Sequence, residues 1–228
     1  MRRLVGLLAF AIFVVGMVAV PAGAQDRRQN EPGQFDFYVL TLSWSPSFCA
    51  EAAERGRGRA GGPECGVRPY SFVVHGLWPQ YENGFPEYCE VPAPRLNRAI
   101  VSSMLDLMPA PHLIFNEWDR HGTCSGLSAR AYFDTVRKAR AVVKIPPDYI
   151  DLQQPLSVAP GAVADAFIKA NPGLEEGDFA VDCDNRRLTE IRLCLSKDLQ
   201  FRACPAVARR ACKRDQVVMP PVRGAAVN

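Results

Sequence analysis

The sequence predicts an α+β fold. Some segments alternate between apolar and polar residues as β-strands do, and others carry apolar residues at helical spacing. These segments do not follow the regular strand–helix order of a parallel sheet, and long irregular connections separate them. We therefore expect strands and helices to be mixed along one domain.

The first 24 residues have the three-part design of a secretory signal. Two arginines precede an apolar run over residues 4–20, and Ala22 and Ala24 form an A-x-A cleavage site. Cleavage after Ala24 would leave residues 25–228 as a single secreted or periplasmic domain. The apolar run is short for a membrane span, which needs roughly 20 residues. Retention as an anchor is the alternative, but we expect no membrane association after signal removal.

Two strands are predicted in the N-terminal half. Residues 35–44 (FDFYVLTLSW) alternate and are rich in aromatic and β-branched side chains. A glycine-rich, basic segment between Cys49 and Cys65 is predicted to be a loop. Residues 71–75 form the second strand and lead into a turn at residues 76–79. The loop carries three arginines that either attract phosphates or are simply solvated: Arg55, Arg57 and Arg59.

Helical spacing dominates the middle of the chain. Ser128 is placed to cap one of these helices, and Gly122 is placed to end another. The C-terminal part returns to strands, with a hairpin predicted in residues 186–205 and no periodicity after residue 218. The predicted helices cover residues 94–108, 115–122, 128–143 and 157–173.

Eight cysteines behind a secretory signal predict four disulfides in an oxidising compartment. The smallest spacing between them runs from Cys204 to Cys212, which is too wide for the paired cysteines of zinc sites. Eight cysteines allow 105 connectivities, and spacing alone does not choose among them. Loss of the two signal arginines lowers the formal net charge from +3 to about +1. The chain is therefore not a polycation that coats nucleic acid.

The three histidines are the strongest candidates for chemistry. His75 lies at a predicted strand end, and His112 has the setting of a loop residue. His121 follows Glu117 and Arg120 at a spacing that places all three on one helix face. That face alone is compatible with an exposed ion-pair cluster, a metal site or half of an active site.

Metal-free cleavage of RNA needs the residue types that these segments supply. One histidine can take the proton of the 2′-hydroxyl, another can protonate the leaving 5′-oxygen, and cations stabilise the phosphorane. Trp78 and Phe85 offer flat surfaces on which bases can stack. A metal site would need further ligands, because the chain has no H-E-x-x-H sequence. A serine hydrolase is disfavoured because no G-x-S-x-G is present.

Two segments taken together resemble the active-site segments of the ribonuclease T2 family, which comprises secreted, base-nonspecific acid endoribonucleases. They are FVVHGLWPQ (residues 72–80) and FNEWDRHGTC (residues 115–124). The first strand and the cysteine-rich C-terminal segment are also similar, so the resemblance covers roughly residues 35–215. It implies a central antiparallel sheet flanked by helices, and RNA cleavage through a 2′,3′-cyclic phosphate to a 3′-phosphate. It implies RNA as the partner and no metal or other cofactor, and we expect a monomer.

The resemblance also assigns roles to single residues. His121 would be the general base and His75 the general acid, with Glu117 and Arg120 stabilising the phosphate and the transition state. Trp78 would help to hold a base. The implied disulfides are Cys89–Cys124 and Cys183–Cys212, with Cys49–Cys65 and Cys194–Cys204 as the remaining pairs.

The chain departs from the family pattern at the phosphate site. Arg120 stands where the family usually has lysine, which keeps the charge and changes its geometry. Asn116 stands where a second phosphate-binding histidine is common, so weaker phosphate binding is expected. Gln80 and Phe85 fall at variable base-pocket positions, which leaves base preference open. A rival hypothesis is an RNA-binding protein that has kept the fold and lost catalysis, and only the changes at residues 116 and 120 favour it.

Overall fold

The computed structural model describes residues 28–56, 62–66 and 68–222. The predicted signal and the arginines at positions 57 and 59 lie outside these residues. In the described chain no helix is long and apolar enough to cross a membrane. The strands are β1 (Phe37–Trp44), β2 (Phe72–Gln80), β3 (Leu156–Val158), β4 (Phe179–Cys183), β5 (Leu188–Leu195) and β6 (Val217–Met219). The helices are α1 (Ser45–Glu54), α2 (Arg98–Met104), α3 (Pro111–Arg120), α4 (Ala129–Val142), α5 (Pro160–Ala170) and α6 (Pro205–Ala208).

A four-stranded antiparallel sheet in the order β2-β1-β5-β4 lies at the centre of the molecule. The α+β fold with an antiparallel sheet is thereby confirmed. The strands β3 and β6 form a second, two-stranded sheet.

The two faces of the central sheet have different surroundings. On β1, Leu40 and Leu42 point into the main hydrophobic core, while Phe37 and Val39 lie on the other face. Successive side chains of a strand alternate between faces, which accounts for this division. The second face is the one that carries the candidate site.

Strand β2 contains a β-bulge opposite Thr41 and Leu42. Thr41 pairs with Gly76 and Leu42 pairs with Val74, so His75 is an extra residue without a partner on β1. A bulge inserts one residue into one strand and turns the following side chains to the other face.

The bulge decides which side chains of β2 meet on the site face. Val74 before it and Leu77 after it are both buried in the main core, although three positions separate them. His75 and Trp78 are also three positions apart and both line the same cavity. In a regular strand, side chains three positions apart would point to opposite faces.

Helices α3 and α4 pack against β2 and fix the position of the site. Trp118 of α3 is buried beside the Tyr132 ring of α4, with ring centroids 5.9 Å apart. The Tyr132 hydroxyl donates a hydrogen bond of 2.9 Å to the carbonyl oxygen of Leu77. Ser128 caps α4 by accepting a hydrogen bond from the Ala131 amide, as the sequence predicts.

The four disulfides join the cysteines in the pairs that the family resemblance implies. Cys89–Cys124 ties the loop before α2 to the turn after α3, and Cys194–Cys204 ties β5 to the start of α6. The other pairs are Cys49–Cys65 and Cys183–Cys212.

Two predictions about the N-terminal half are wrong. The segment from Cys49 to Glu54 belongs to α1 and not to a loop; a proline in its first turn and the buried Ala52 favour this helix. The predicted turn at residues 76–79 is part of β2, which remains paired with β1 up to Gln80. Because β2 lies at the edge of the sheet, Pro79 costs it no hydrogen bond to a further strand.

Further corrections concern His112 and the C-terminal part. His112 lies in the first turn of α3, which begins at Pro111, and not in a loop. The predicted second strand of the 186–205 hairpin is reduced to one bridge between Leu195 and Phe201, because β5 pairs with β1 and β4 instead. The strands β3, β4 and β6 were not predicted. Residues 157 and 158 of the predicted helix belong to β3, and Met219 belongs to β6 although the sequence shows no periodicity there.

Candidate active site

A cavity of about 280 Å³ opens on the site face of the sheet. Side chains from β1, β2, β5, α3 and α6 line it. Asn116 is exposed on α3 and does not line this cavity. The sequence-predicted residues brought together here are His75, Trp78, Gln80, Phe85, Glu117, Arg120 and His121.

The end of α3 supplies the acidic and basic groups of the second predicted segment. Glu117 and His121 are buried, whereas the Arg120 side chain remains about half exposed. The His121 amide donates to the Glu117 carbonyl oxygen at 3.0 Å, so both side chains leave the helix on the same side. The predicted common face of these residues is therefore the face that meets β2.

Glu117 and Trp78 form a hydrogen bond close to the two histidines. The indole Nε1 of Trp78 donates to Glu117 Oε2 at 2.7 Å, and Glu117 Oε1 lies 3.7 Å from His75 Nε2. The Trp78 ring centroid is 5.3 Å from that of His75 and 5.2 Å from that of His121. The tryptophan thus separates the two imidazoles and fixes the carboxylate beneath the cavity.

His75 is held from the opposite side by a residue that sequence reasoning missed. Its Nδ1 lies 2.6 Å from Oε1 of Glu190 on β5, which directs its Nε2 towards Glu117. Arg192 of β5 lines the cavity as well, and its guanidinium carbon lies 5.5 Å from the Trp78 ring centroid. The sequence signal for these two residues is their alternation with apolar residues in the predicted strand segment TEIRLC, which places both charges on one face of the strand.

The pKa values of the two glutamates of the site are shifted in opposite directions. Burial raises the pKa of Glu117 to about 7, despite the opposing effects of His75, Trp78 and Arg120. Burial acts in the same direction on Glu190, but its hydrogen bond and charge interaction with His75, together with Arg192, lower its pKa to about 2. Glu190 is therefore a carboxylate at neutral pH, and Glu117 carries a proton over the acidic range.

The two histidines are shifted in opposite directions. Burial, with smaller contributions from the charges of Arg120 and His75, lowers the pKa of His121 to about 3. Burial also opposes the charge on His75, but the hydrogen bond and charge of Glu190, with the charge of Glu117, outweigh it and raise the His75 pKa. His121 is therefore neutral in mildly acidic solution, where His75 is protonated.

The ring orientation of His121 follows from its surroundings. Its Nδ1 is buried and has no hydrogen-bond partner among the residues that the structure describes. The imidazole lines the cavity, so Nε2 is its accessible nitrogen. The chemistry of His121 is therefore expected at Nε2.

Arg120 reaches the cavity while paired with an acidic residue of the neighbouring loop. Its Nε donates to Glu87 Oε1 at 3.0 Å, and its Nη2 contacts the same oxygen. The Cys89–Cys124 disulfide keeps this loop against the end of α3. An anion in the cavity would share the guanidinium with Glu87.

A second, smaller cavity of about 130 Å³ lies on the other side of His75. Phe48 of α1 and Leu113 of α3 contribute apolar surface to its lining, and His112 and Glu64 also line it. His75 lines both cavities.

In the described chain no group of three or more His, Cys, Asp or Glu side chains is arranged to hold a metal ion. The groups that do converge are a neutral histidine, a protonated histidine, a buried carboxyl and an arginine. Such a set serves acid–base catalysis at an anionic phosphodiester. Fold and site together indicate an enzyme of the nuclease class.

The comparison with protein families agrees with this class. The model of the ribonuclease T2 family matches residues 35–204, and the chain belongs to that family. It is an endoribonuclease of the ribonuclease T2 type.

Similar proteins occur in bacteria and plants. A ribonuclease of Aeromonas hydrophila is 33% identical over 194 residues, which cover 82% of this chain and 84% of that protein. An RNase-related protein from Calystegia sepium has a similar fold, with a TM-score of 0.62, 20% identity and coverage of 83% and 98% of the two chains. RNase NT, solved in complex with 5′-AMP, gives a TM-score of 0.59 at 24% identity, with coverage of 82% and 98%.

Gly76 is the residue in the bulge that allows Glu117 and Trp78 to approach β2. A Cβ atom at this position would lie 1.9 Å from Glu117 Oε2 and 2.4 Å from the Trp78 indole nitrogen. Both atoms belong to the hydrogen bond between these two side chains, so a Cβ atom here would displace the pair. Packing at the site therefore explains why a glycine follows His75 in the first segment.

We expect Gly76→Ala to displace Glu117 and Trp78. Overpacking of this kind costs about 1–3 kcal/mol of unfolding free energy, and a displacement of about 1 Å lowers turnover roughly 100-fold. Denaturant unfolding and steady-state kinetics measure the two effects. Gly161→Ala is the control, because a Cβ there meets no described atom within 4 Å. Normal stability and turnover in Gly76→Ala would contradict this role.

Proposed function

We propose that the chain cleaves single-stranded RNA with little base preference, without a metal ion, in two steps. The first step forms a 2′,3′-cyclic phosphate and the second hydrolyses it to a 3′-phosphate. His121 acts as general base and His75 as general acid in the first step. Glu117 and Arg120 stabilise the charge on the phosphate.

The observation that carries this proposal is that both histidines line one cavity in opposite electrostatic surroundings, with His75 between two glutamates and His121 beside Arg120. A general base must be neutral and a general acid must be protonated at the same pH. The lowered pKa of His121 and the raised pKa of His75 meet both conditions in mildly acidic solution. Pairs of groups whose surroundings separate their pKa values mark acid–base assignments.

In the first step, His121 Nε2 removes the proton of the 2′-hydroxyl, and the 2′-oxygen attacks the phosphorus. The bond to the 5′-oxygen breaks, and that oxygen takes the proton of His75 Nε2. In the second step the roles reverse: His75 removes a proton from water, whose oxygen attacks the phosphorus. The bond between phosphorus and the 2′-oxygen breaks, and His121 returns its proton to that oxygen. Both histidines are then restored to their starting states.

Glu117 and Arg120 complement the charge that develops on the phosphate. With its pKa raised to about 7, the Glu117 carboxyl is protonated in acid and can donate to a non-bridging oxygen. Arg120 supplies a fixed positive charge at the cavity wall. Asn116 is exposed outside the main cavity, so it contributes to phosphate binding only if the substrate extends beyond that cavity.

The two cavities beside His75 fit the nucleotides on either side of the scissile phosphate. The larger cavity offers Trp78 and Phe85 for stacking and Gln80 for a hydrogen bond to a base. The smaller one offers Phe48 and Leu113. This division supports cleavage within a chain, and the 5′-AMP complex of RNase NT shows that a protein of similar fold binds a nucleotide.

We also propose that residues 25–228 act as one secreted or periplasmic domain, as a monomer and free of the membrane after signal removal. The four disulfides support an oxidising compartment.

The products test the reaction directly. Purified protein incubated with single-stranded RNA in excess chelator is expected to give fragments with 2′,3′-cyclic ends that convert slowly to 3′-phosphates. Mass spectrometry of the ends distinguishes these products. Abolition of cleavage by chelator would contradict the metal-free mechanism, and bound but intact RNA across pH 4–8 would favour the RNA-binding rival.

Alanine variants test the two histidine roles. Each proton transfer is worth about 10²–10⁴ in rate, so His75→Ala and His121→Ala are each expected to lower kcat by such a factor. Asp119→Ala is the control, because Asp119 is exposed on the same helix and lines neither cavity. Thermal unfolding checks that the variants are folded. Near-normal kcat in either histidine variant would refute its assignment.

The pH profile of kcat/KM follows from the signs of the shifts. As pH falls towards 3, His121 gains a proton and the base is lost. As pH rises past about 7, Glu117 loses its proton, and His75 follows through its raised pKa, so the acid is lost. We expect a bell-shaped profile with its maximum on the acidic side of neutrality. A maximum above pH 8 would contradict the assignment of acid and base.

A further inference from the structure

Glu190 is a buried carboxylate for which the proposed mechanism gives no role. It lies on β5 opposite Ser43 of β1, with its side chain on the site face of the sheet. Only 14% of the side chain is exposed. A buried charge of this kind needs partners that compensate its loss of hydration.

Both oxygens of Glu190 are engaged. Oε1 accepts from the Ser43 hydroxyl at 3.1 Å and lies 2.6 Å from His75 Nδ1. Oε2 accepts from Arg192 Nε at 3.2 Å and Nη2 at 2.9 Å. Arg192 also forms an ion pair with Asp182 of β4, in which Nη2 lies 2.9 Å from Oδ2. Contacts with residues of β1, β4 and β5 thus hold the Glu190 carboxylate in place independently of its contact with His75.

The contact with Glu190 determines the state of the His75 ring. An ionised carboxylate only accepts hydrogen bonds, so Nδ1 must carry a hydrogen and donate it. Nε2 is then the nitrogen that gains and loses the catalytic proton. The charged groups that act on His75 are Glu117 of α3 and Glu190 and Arg192 of β5, and the Trp78 ring lies beside it on its own strand. Glu64 and the α3 residue His112 line the smaller cavity together with His75. Glu190 makes the shortest of these contacts.

We propose that Glu190 is a positioning residue for the reaction, which orients His75 through Nδ1 and holds the proton on Nε2 for the leaving oxygen. The proposal rests on the acid role assigned to His75 in the proposed function. Because Val74 points into the main core, the next residue of β2, His75, points to the other face of the sheet, where β5 presents Glu190. A carboxylate behind a catalytic imidazole has the same effect in serine hydrolases, where it fixes the tautomer and stabilises the imidazolium.

Glu190→Gln is the sharpest test, because the amide keeps the shape and an oxygen acceptor but removes the charge. An opposite charge at hydrogen-bond distance shifts a pKa by about 1–3 units. The basic limb of kcat/KM is therefore expected to move to lower pH by about that amount, with KM nearly unchanged. At pH 7 the variant would hold less of its His75 in the protonated form, so kcat is expected to fall about tenfold or more. At pH 5 most of the His75 would still be protonated, and kcat is expected to fall much less.

A matched control and a conservative variant separate positioning from a structural role. Glu51→Gln removes a carboxylate that pairs with Arg55 on α1, outside both cavities, and is expected to leave the profile unchanged. Glu190→Asp keeps the charge on a shorter side chain and is expected to retain more of the basic limb than Glu190→Gln. A basic limb in Glu190→Gln that coincides with that of Glu51→Gln would overturn the proposal.

Nitrogen-15 NMR of His75 gives a readout that does not depend on activity. In the wild type the hydrogen is expected on Nδ1 in the neutral state, and the titration of His75 is expected at lower pH in Glu190→Gln. An unchanged tautomer and titration would refute the contact as a positioning device. If His75→Ala keeps its activity while the NMR shift occurs, the acid role of His75 fails and the effect of Glu190 on the ring stands.

Discussion

The site depends on one extra residue in β2. The bulge at His75 brings His75 and Trp78 to the same face of the sheet, and Gly76 beside it leaves room for Glu117 to approach from α3. A regular strand would bury one of the two side chains in the main core. A side chain at position 76 would occupy the place of the carboxyl. His75 and the tryptophan that binds Glu117 therefore share one face only because the backbone departs from regular pairing here.

Once assembled, the site gives two chemically identical side chains different states. His121 is buried, and the charge with the largest effect on its pKa is the positive Arg120. His75 lies between two acidic residues, Glu117 of α3 and Glu190 of β5. Burial disfavours the charged form of both, and the neighbouring charges decide the outcome for each. The division of labour between base and acid is thus a property of the surroundings and not of the imidazole.

Part of this arrangement is predictable from the sequence. Glu117 and His121 belong to one helical segment whose spacing fixes their common face, and the helix capped by Ser128 follows from local pattern alone. Glu190 is 115 positions from His75, and its role depends on the pairing of β5 with β1, which no local pattern states. The prediction of a turn after His75 is wrong for a related reason. Gly76 and Pro79 are ordinary turn residues, and only the edge position of β2 and the packing of Glu117 explain them within a strand.

The separation of the two histidine pKa values is the central claim, and NMR titration of the wild-type protein tests it most directly. The chain has only three histidines, and the exposed His112 gives a reference signal outside the main cavity. Followed from pH 3 to pH 8, His121 is predicted to remain neutral until the pH approaches about 3. His75 is predicted to lose its proton only above the ordinary histidine value of about 6.5. Titration of His75 and His121 together near pH 6.5 would contradict the account.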